Sequence, residues 1–218
     1  MAALSFISLL LPEKTNTIYK ELNMKRLLIA ITMLAITSVT AYSQGLYFDI
    51  GAGVGSATTK FDGHDFSKDV DSSVDEIGIG LGVRIGYGPI GNYPIYIVGD
   101  ISGTGHRFED DYNYVQFNTY LIGPGIIFYP IPLLHLGVSF GYSFVKNQTD
   151  LPIQFLDSKS GYAGSIYSAI DLGKGNHGCL LGVMYTKSIN TLETTEAEQE
   201  SSLFAVFIRY AYRRKITN

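Results

Sequence analysis

From residue 45 onward the chain alternates apolar side chains with glycine or polar ones, over segments longer than ten residues. In GLYFDIGAGVG one face carries Leu46, Phe48, Ile50, Ala52 and Val54, and the other Tyr47, Asp49, Gly51, Gly53 and Gly55. In EIGIGLGVRIGYG the apolar set is Ile77, Ile79, Leu81, Val83, Ile85 and Tyr87, against Gly78, Gly80, Gly82, Arg84 and Gly86. A period of two marks a strand, because successive side chains leave opposite faces of a pleated backbone. The pattern predicts eight strands, over 45–55, 76–88, 95–105, 113–129, 133–146, 160–172, 178–190 and 202–213. Most exceed the ~5–6 residues usual in soluble sheets.

The connections predicted between them alternate in length. Those at 57–73, 106–112, 147–159 and 191–201 are long, polar and acidic, while those at 89–94, 130–132 and 173–177 are short and rich in turn formers. Long connections at one end and short turns at the other are the pattern of a transmembrane barrel. An eight-stranded barrel has a narrow lumen, so the small and polar set is expected inside and the apolar set against lipid. A closed barrel also satisfies every backbone group within a bilayer. Tyr47, Tyr87, Tyr129, Tyr162, Tyr185, Tyr210 and Tyr212 lie near strand ends, where interfacial aromatics belong. The expected fold is therefore all-β: a closed, eight-stranded, antiparallel up-and-down transmembrane β-barrel, preceded by a helical signal peptide.

The signal is read at residues 24–44. Lys25 and Arg26 precede an apolar run over 27–39, followed by the small residues Val39-Thr40-Ala41. This is the composition of a cleaved export signal, and the run is shorter than the ~20 residues of a membrane-spanning helix. Cleavage is expected after Ala41, with a cut after Gln44 as the other option. Met24 is expected to be the true start, and 1–23 an extension from an upstream start site. Residues 45–218 are then the barrel. In that part twelve basic and eighteen acidic residues remain, a net charge of −6. This argues against a nucleic-acid partner, which needs a basic surface. Cys179 is the only cysteine, so no internal disulfide and no lipid anchor at the signal are expected.

The export signal, the GLYFDIGAGVG first strand, the loop rhythm and the terminal FAVFIRYAY resemble the small outer-membrane barrels of the OmpA/OmpX type. They are also similar to the outer-membrane β-barrel proteins of Bacteroidetes-like bacteria. The resemblance covers roughly 45–213. It implies the outer membrane of a Gram-negative cell as the location. The implied partners are membrane lipid and lipopolysaccharide, the barrel-assembly machinery, and a host or surface ligand met by the long loops, with the barrel a monomer. The family usually ends on an aromatic, whereas here Tyr212 is followed by RRKITN.

Two motifs suggest chemistry and fail on context. Residues 86–91 fit G-x-G-x-x-G, but a strand follows where a dinucleotide site needs a helix. Residues 137–141 fit G-x-S-x-G, but Ser139 stands in mid-strand rather than at a strand-to-helix turn. A better candidate is the set Asp49, Arg84, Asp100 and Arg209, all assigned to the lumen. Asp49, Arg84 and Arg209 fall at similar heights above the short turns, on strands that become neighbours on closure. Charges inside a barrel must be paired, so an internal ion-pair network is expected there. The four histidines have no metal-ligand spacing, and no metal or cofactor is expected. His64 and His106 are placed in or beside long loops.

The expected function is non-enzymatic: a barrel with a packed polar lumen and acidic extracellular loops, in a structural or surface-interaction and adhesion role. One alternative is a lipid A-modifying barrel enzyme, for which His106, Ser102 and Glu109 are the nearest residues of the right types. The other is a narrow channel.

Overall fold

The computed structural model describes residues 45–70, 74–109, 113–150, 158–193 and 197–213. The signal segment and its cleavage residues Ala41 and Gln44 lie outside the described residues, as does the 1–23 extension. Eight long strands make the wall: β1 (Leu46–Phe61), β2 (Asp75–Tyr87), β3 (Ile95–Glu109), β4 (Tyr114–Ile131), β5 (Leu134–Val145), β6 (Ser158–Asp171), β7 (His177–Leu192) and β8 (Glu198–Arg213). Each pairs antiparallel with the next. The last then pairs antiparallel with the first, from Tyr47↔Arg213 to Phe61↔Gln199. The sheet therefore has no free lateral edge over that stretch, and the wall is a ring.

The alternation decides which way each side chain points. Ile50, Val54, Leu81, Ile85, Ile101, Phe140, Ile166, Val206 and Ile208 stand on the outside, exposed, while Asp49, Arg84, Asp100, Ser139 and Arg209 are buried inside. An apolar outer belt around a closed barrel is stable where lipid, not water, surrounds it.

Three sequence expectations change. First, the strands run further at the end away from the short turns. β1 continues to Phe61, β3 to Glu109, and β7 and β8 enclose a gap of only 193–197. The connections expected over 106–112 and 191–201 are therefore mostly strand, and only those around 62–74 and 146–157 are long. Beyond the bilayer both faces of a strand can be polar, so alternation fades although pairing persists.

Second, the lumen is not filled by small and polar groups alone. Tyr47, Tyr96, Tyr129, Tyr167, Phe207, Leu180, Leu203 and Met184 are buried inside it. Glycines on facing strands provide the room. A side-chain carbon at Gly137 would run into the Tyr167 ring, and one at Gly82 into the Arg209 guanidinium. Third, Tyr47 and Tyr129 do not join an interfacial belt. Strand parity turns both inward, and they are 0% and 4% exposed.

At the far end, the turn after β1 folds back over the lumen. Asp62 and Gly63 take positive φ values of 50° and 81°, the left-handed conformation that reverses the chain tightly. His64–Asp65 then pairs back onto β1. A 3-10 turn, Phe66–Asp69, follows, with the Asp65 carboxylate accepting from the Ser67 backbone N–H at 3.1 Å.

Candidate functional site in the barrel lumen

The ladder between β1, β2 and β3 sets Asp49 opposite Arg84 and Arg84 opposite Asp100. Across the seam, Arg209 of β8 pairs with Gly51 of β1, two residues from Asp49. All four side chains point inward and meet. Arg84 Nη1 lies 3.3 Å from Asp49 Oδ2, and Arg84 Nε lies 3.0 Å from Asp100 Oδ2. Arg209 Nη1 donates to Asp49 Oδ1 at 2.8 Å and to the Gly82 carbonyl at 3.3 Å. The Ser139 hydroxyl, from β5, two strands round from Asp100, donates to Asp100 Oδ2 at 2.7 Å. Arg84 also lies over the Tyr167 ring of β6, its guanidinium carbon 3.5 Å from the ring centre, a cation–π contact. The group thus reaches from β8 round to β6 and crosses the bore.

Nearer the short turns is a second buried layer. The Tyr47 hydroxyl donates to Asp49 Oδ2 at 2.8 Å and lies 3.2 Å from His135 Nε2. The His135 ring stacks on Tyr167, with centres 5.4 Å apart. Arg213 pairs with Asp171 at 2.6 Å and lies over the Tyr129 ring, 4.3 Å from its centre. The ion-pair group expected from the sequence leaves out Asp171 and Arg213, although both fall on inward positions, of β6 and β8.

At the mouth, His106 is a strand residue rather than a loop residue. It is 3% exposed and faces inward from β3. Its Nδ1 lies 3.0 Å from Thr59 Oγ1, and its Nε2 lies 2.8 Å from Glu76 Oε1. The enzyme-like set His106, Ser102 and Glu109 is not assembled, because Glu109 is exposed and grips Arg107 at 2.8 Å. Phe66, from the 3-10 turn, packs over this end. Its ring centre lies 6.3 Å from that of Phe61, 5.2 Å from Phe108 and 4.8 Å from Phe117. Among the described residues, no group of three or more His, Cys, Asp or Glu could hold a metal ion. Ser139 stands in mid-strand, and β3 rather than a helix follows 86–91.

A ring of eight strands, an apolar outer belt and a lumen lined by buried side chains define an integral membrane β-barrel. No protein-family model matches the chain, and no curated protein is similar to it. Solved structures with a similar chain path include three outer-membrane or surface proteins. The attachment invasion locus protein Ail of Yersinia pestis, in complex with the heparin analogue sucrose octasulfate, is 15% identical; the match covers 78% of this chain and 99% of that one, with a TM-score of 0.48. Neisserial surface protein A is 12% identical over 75% of this chain and 95% of its own, with a TM-score of 0.45. The outer membrane protein OprG of Pseudomonas aeruginosa is 9% identical over 78% and 96%, with a TM-score of 0.40.

Proposed function

We propose that this chain is an outer-membrane barrel whose wall anchors it and whose extracellular connections do its work, in a structural or surface-binding role rather than in transport. The observation that carries the reading is the Asp49–Arg84–Asp100–Arg209 group. Its members are at most 3% exposed, and through Arg84 on the Tyr167 ring of β6 they reach across a bore that eight strands already make narrow. Moving them aside would strand a charge in a low-dielectric interior, which costs several kcal/mol. The network is therefore a lock on strand register and a plug against solutes.

Partners then meet the protein at two surfaces. The outer belt takes membrane lipid. The mouth, with Asp62, Asp75, Glu76, Glu109, Glu198 and Glu200 on strand ends and turns, takes cationic or neutral ligands in preference to polyanions. The barrel-assembly machinery and lipopolysaccharide follow from the same reading, and a single closed ring requires no second copy.

Planar-bilayer recording tests the plug. The purified barrel should give no stable conductance of porin size; a steady open pore would refute a closed lumen. Outer-membrane fractionation with surface proteolysis of intact cells tests the placement. Cleavage should fall in 62–74 and 146–157, and absence of the protein from that membrane would undo the reading.

A further inference from the structure

The mouth holds a constellation that a lumen plug does not require. Thr59 of β1, His106 of β3 and Glu76 of β2 form a continuous hydrogen-bonded series, hydroxyl to imidazole to carboxylate, at 3.0 and 2.8 Å. Gly78, opposite His106 in the β2–β3 register, has no side chain to stand between His106 and β1. The Glu76 carboxylate accepts from Nε2–H, which fixes the tautomer and leaves the Nδ1 lone pair facing the Thr59 hydroxyl. This is the order of parts that activates an oxygen nucleophile: the hydroxyl, a base in reach of its proton, and an acid that orients the base.

The surroundings suit one substrate class. Thr59 and His106 are buried, the His106 ring lies 4.3 Å from that of Phe108 and 6.5 Å from that of Phe117, and Phe61 and Phe66 pack against the same cluster. Glu76 keeps a side-chain exposure of 40%, so the series runs from the rim inward. Phe66 is held by ring contacts and by a turn reversing at Asp62 and Gly63, whose Asp62 carboxylate accepts from the Glu198 N–H at 2.8 Å.

We propose that Thr59, His106 and Glu76 form a nucleophile–base–orienter site for acyl esters with an apolar acyl group, covered by Phe66. Thr59 Oγ1 bonds to the ester's acyl carbon as its proton passes to His106 Nδ1. The alkoxide leaves and takes that proton, and a threonyl ester remains. Water then gives a proton to Nδ1 and its oxygen to the acyl carbon, the threonyl bond breaks, and the proton returns to Thr59. This activity departs from the non-enzymatic expectation and does not depend on the plug. A conducting barrel could still carry it, and a sealed one could lack it.

The test treats the purified full-length barrel in detergent micelles with a fluorophosphonate probe, and maps adducts by peptide mass spectrometry. Heat-dependent gel mobility confirms that each variant is folded. An adduct at Thr59 is expected, formed roughly tenfold faster in Phe66→Ala as the cover is removed, and roughly a hundredfold slower in His106→Ala and His106→Gln as the base is lost. Thr59→Ser should keep labelling and hydrolysis of p-nitrophenyl butyrate, while Thr59→Val should lose both. No adduct at Thr59 in either wild type or Phe66→Ala would overturn the proposal. So would labelling at an unchanged rate in both folded His106 variants.

Discussion

In the half of the bore nearer the short turns, Arg84 reaches acids on the two strands beside its own. At the mouth, by contrast, Phe66 arrives from a connecting turn and packs on strands it does not belong to. The first closure is built from charge and fixed by sheet register. The second is built from apolar rings and fixed by one turn. A register-bound group cannot move without breaking backbone pairing, whereas a turn-borne ring can leave while the wall stays whole. The two closures of one lumen should therefore differ in how much of the molecule fails with them.

The largest effect should come from Arg84→Met. It leaves Asp49 and Asp100 without their shared cation, and loss of a partner in a buried ion pair costs about 3–5 kcal/mol. Urea unfolding in micelles, followed by tryptic resistance of the wall, would measure it. A loss no larger than that of Phe66→Ala would erase the contrast between the regions. Gly137→Ala comes next, at about 1–3 kcal/mol, because the added methyl must displace a Tyr167 ring already pressed against Arg84. The same unfolding assay reads it, and an unchanged midpoint would mean that the rings have slack.

Phe66→Ala should cost about 1–2 kcal/mol, below the 3–5 of a fully buried phenylalanine, since Phe66 is only partly buried. Hydrogen exchange should speed up at 62–70 and stay unchanged near Arg84. The smallest effect is one of pH. Slight burial pushes the Asp65 carboxyl up, but the hydroxyl and backbone N–H of Ser67 and the nearby Lys60 and Lys68 hold it below its ordinary value. A lowered carboxyl stabilises the turn above the unfolded value near 3.8, and that support is lost as pH falls through the lower folded value. Exchange at 65–69 should accelerate below about pH 4, with the Arg84 layer unaffected; equal loosening of both would sink the distinction.

Sequence parity alone puts Asp49, Arg84, Asp100 and Arg209 on one face, and counting from the short turns gives their heights. Both are properties of a strand inside a bilayer, where the contrast between faces is greatest. The mouth was not legible for the same reason. In SATTK, at 56–60, neither face is apolar, so Thr59 carries no strand signal. Glu76 stands at the edge of its predicted strand, and His106 one residue beyond the end of its own. Phe66 reaches its partners by a turn whose path no periodicity encodes. The tyrosines teach the opposite lesson. Proximity to a strand end suggested a belt, yet parity turned Tyr47 and Tyr129 inward, and the facing glycines marked the space their like would fill.

The seam between β1 and β8 joins residues 160 positions apart in the chain through Asp49 and Arg209. Contacts that distant form late, since the loop they close costs entropy before it yields any stability. Asp49 is made among the first residues of the barrel and Arg209 among the last. Until the final strand arrives, the wall is an open sheet with two unpaired edges, and the acid that will anchor its core lacks one of its two arginines. Docking of the last strand, sealing of the rim-to-rim seam and neutralisation of the interior are then one event. A truncation that removed only β8 would leave both edges exposed and the core charge unbalanced at once, so a half-made barrel has no stable resting form.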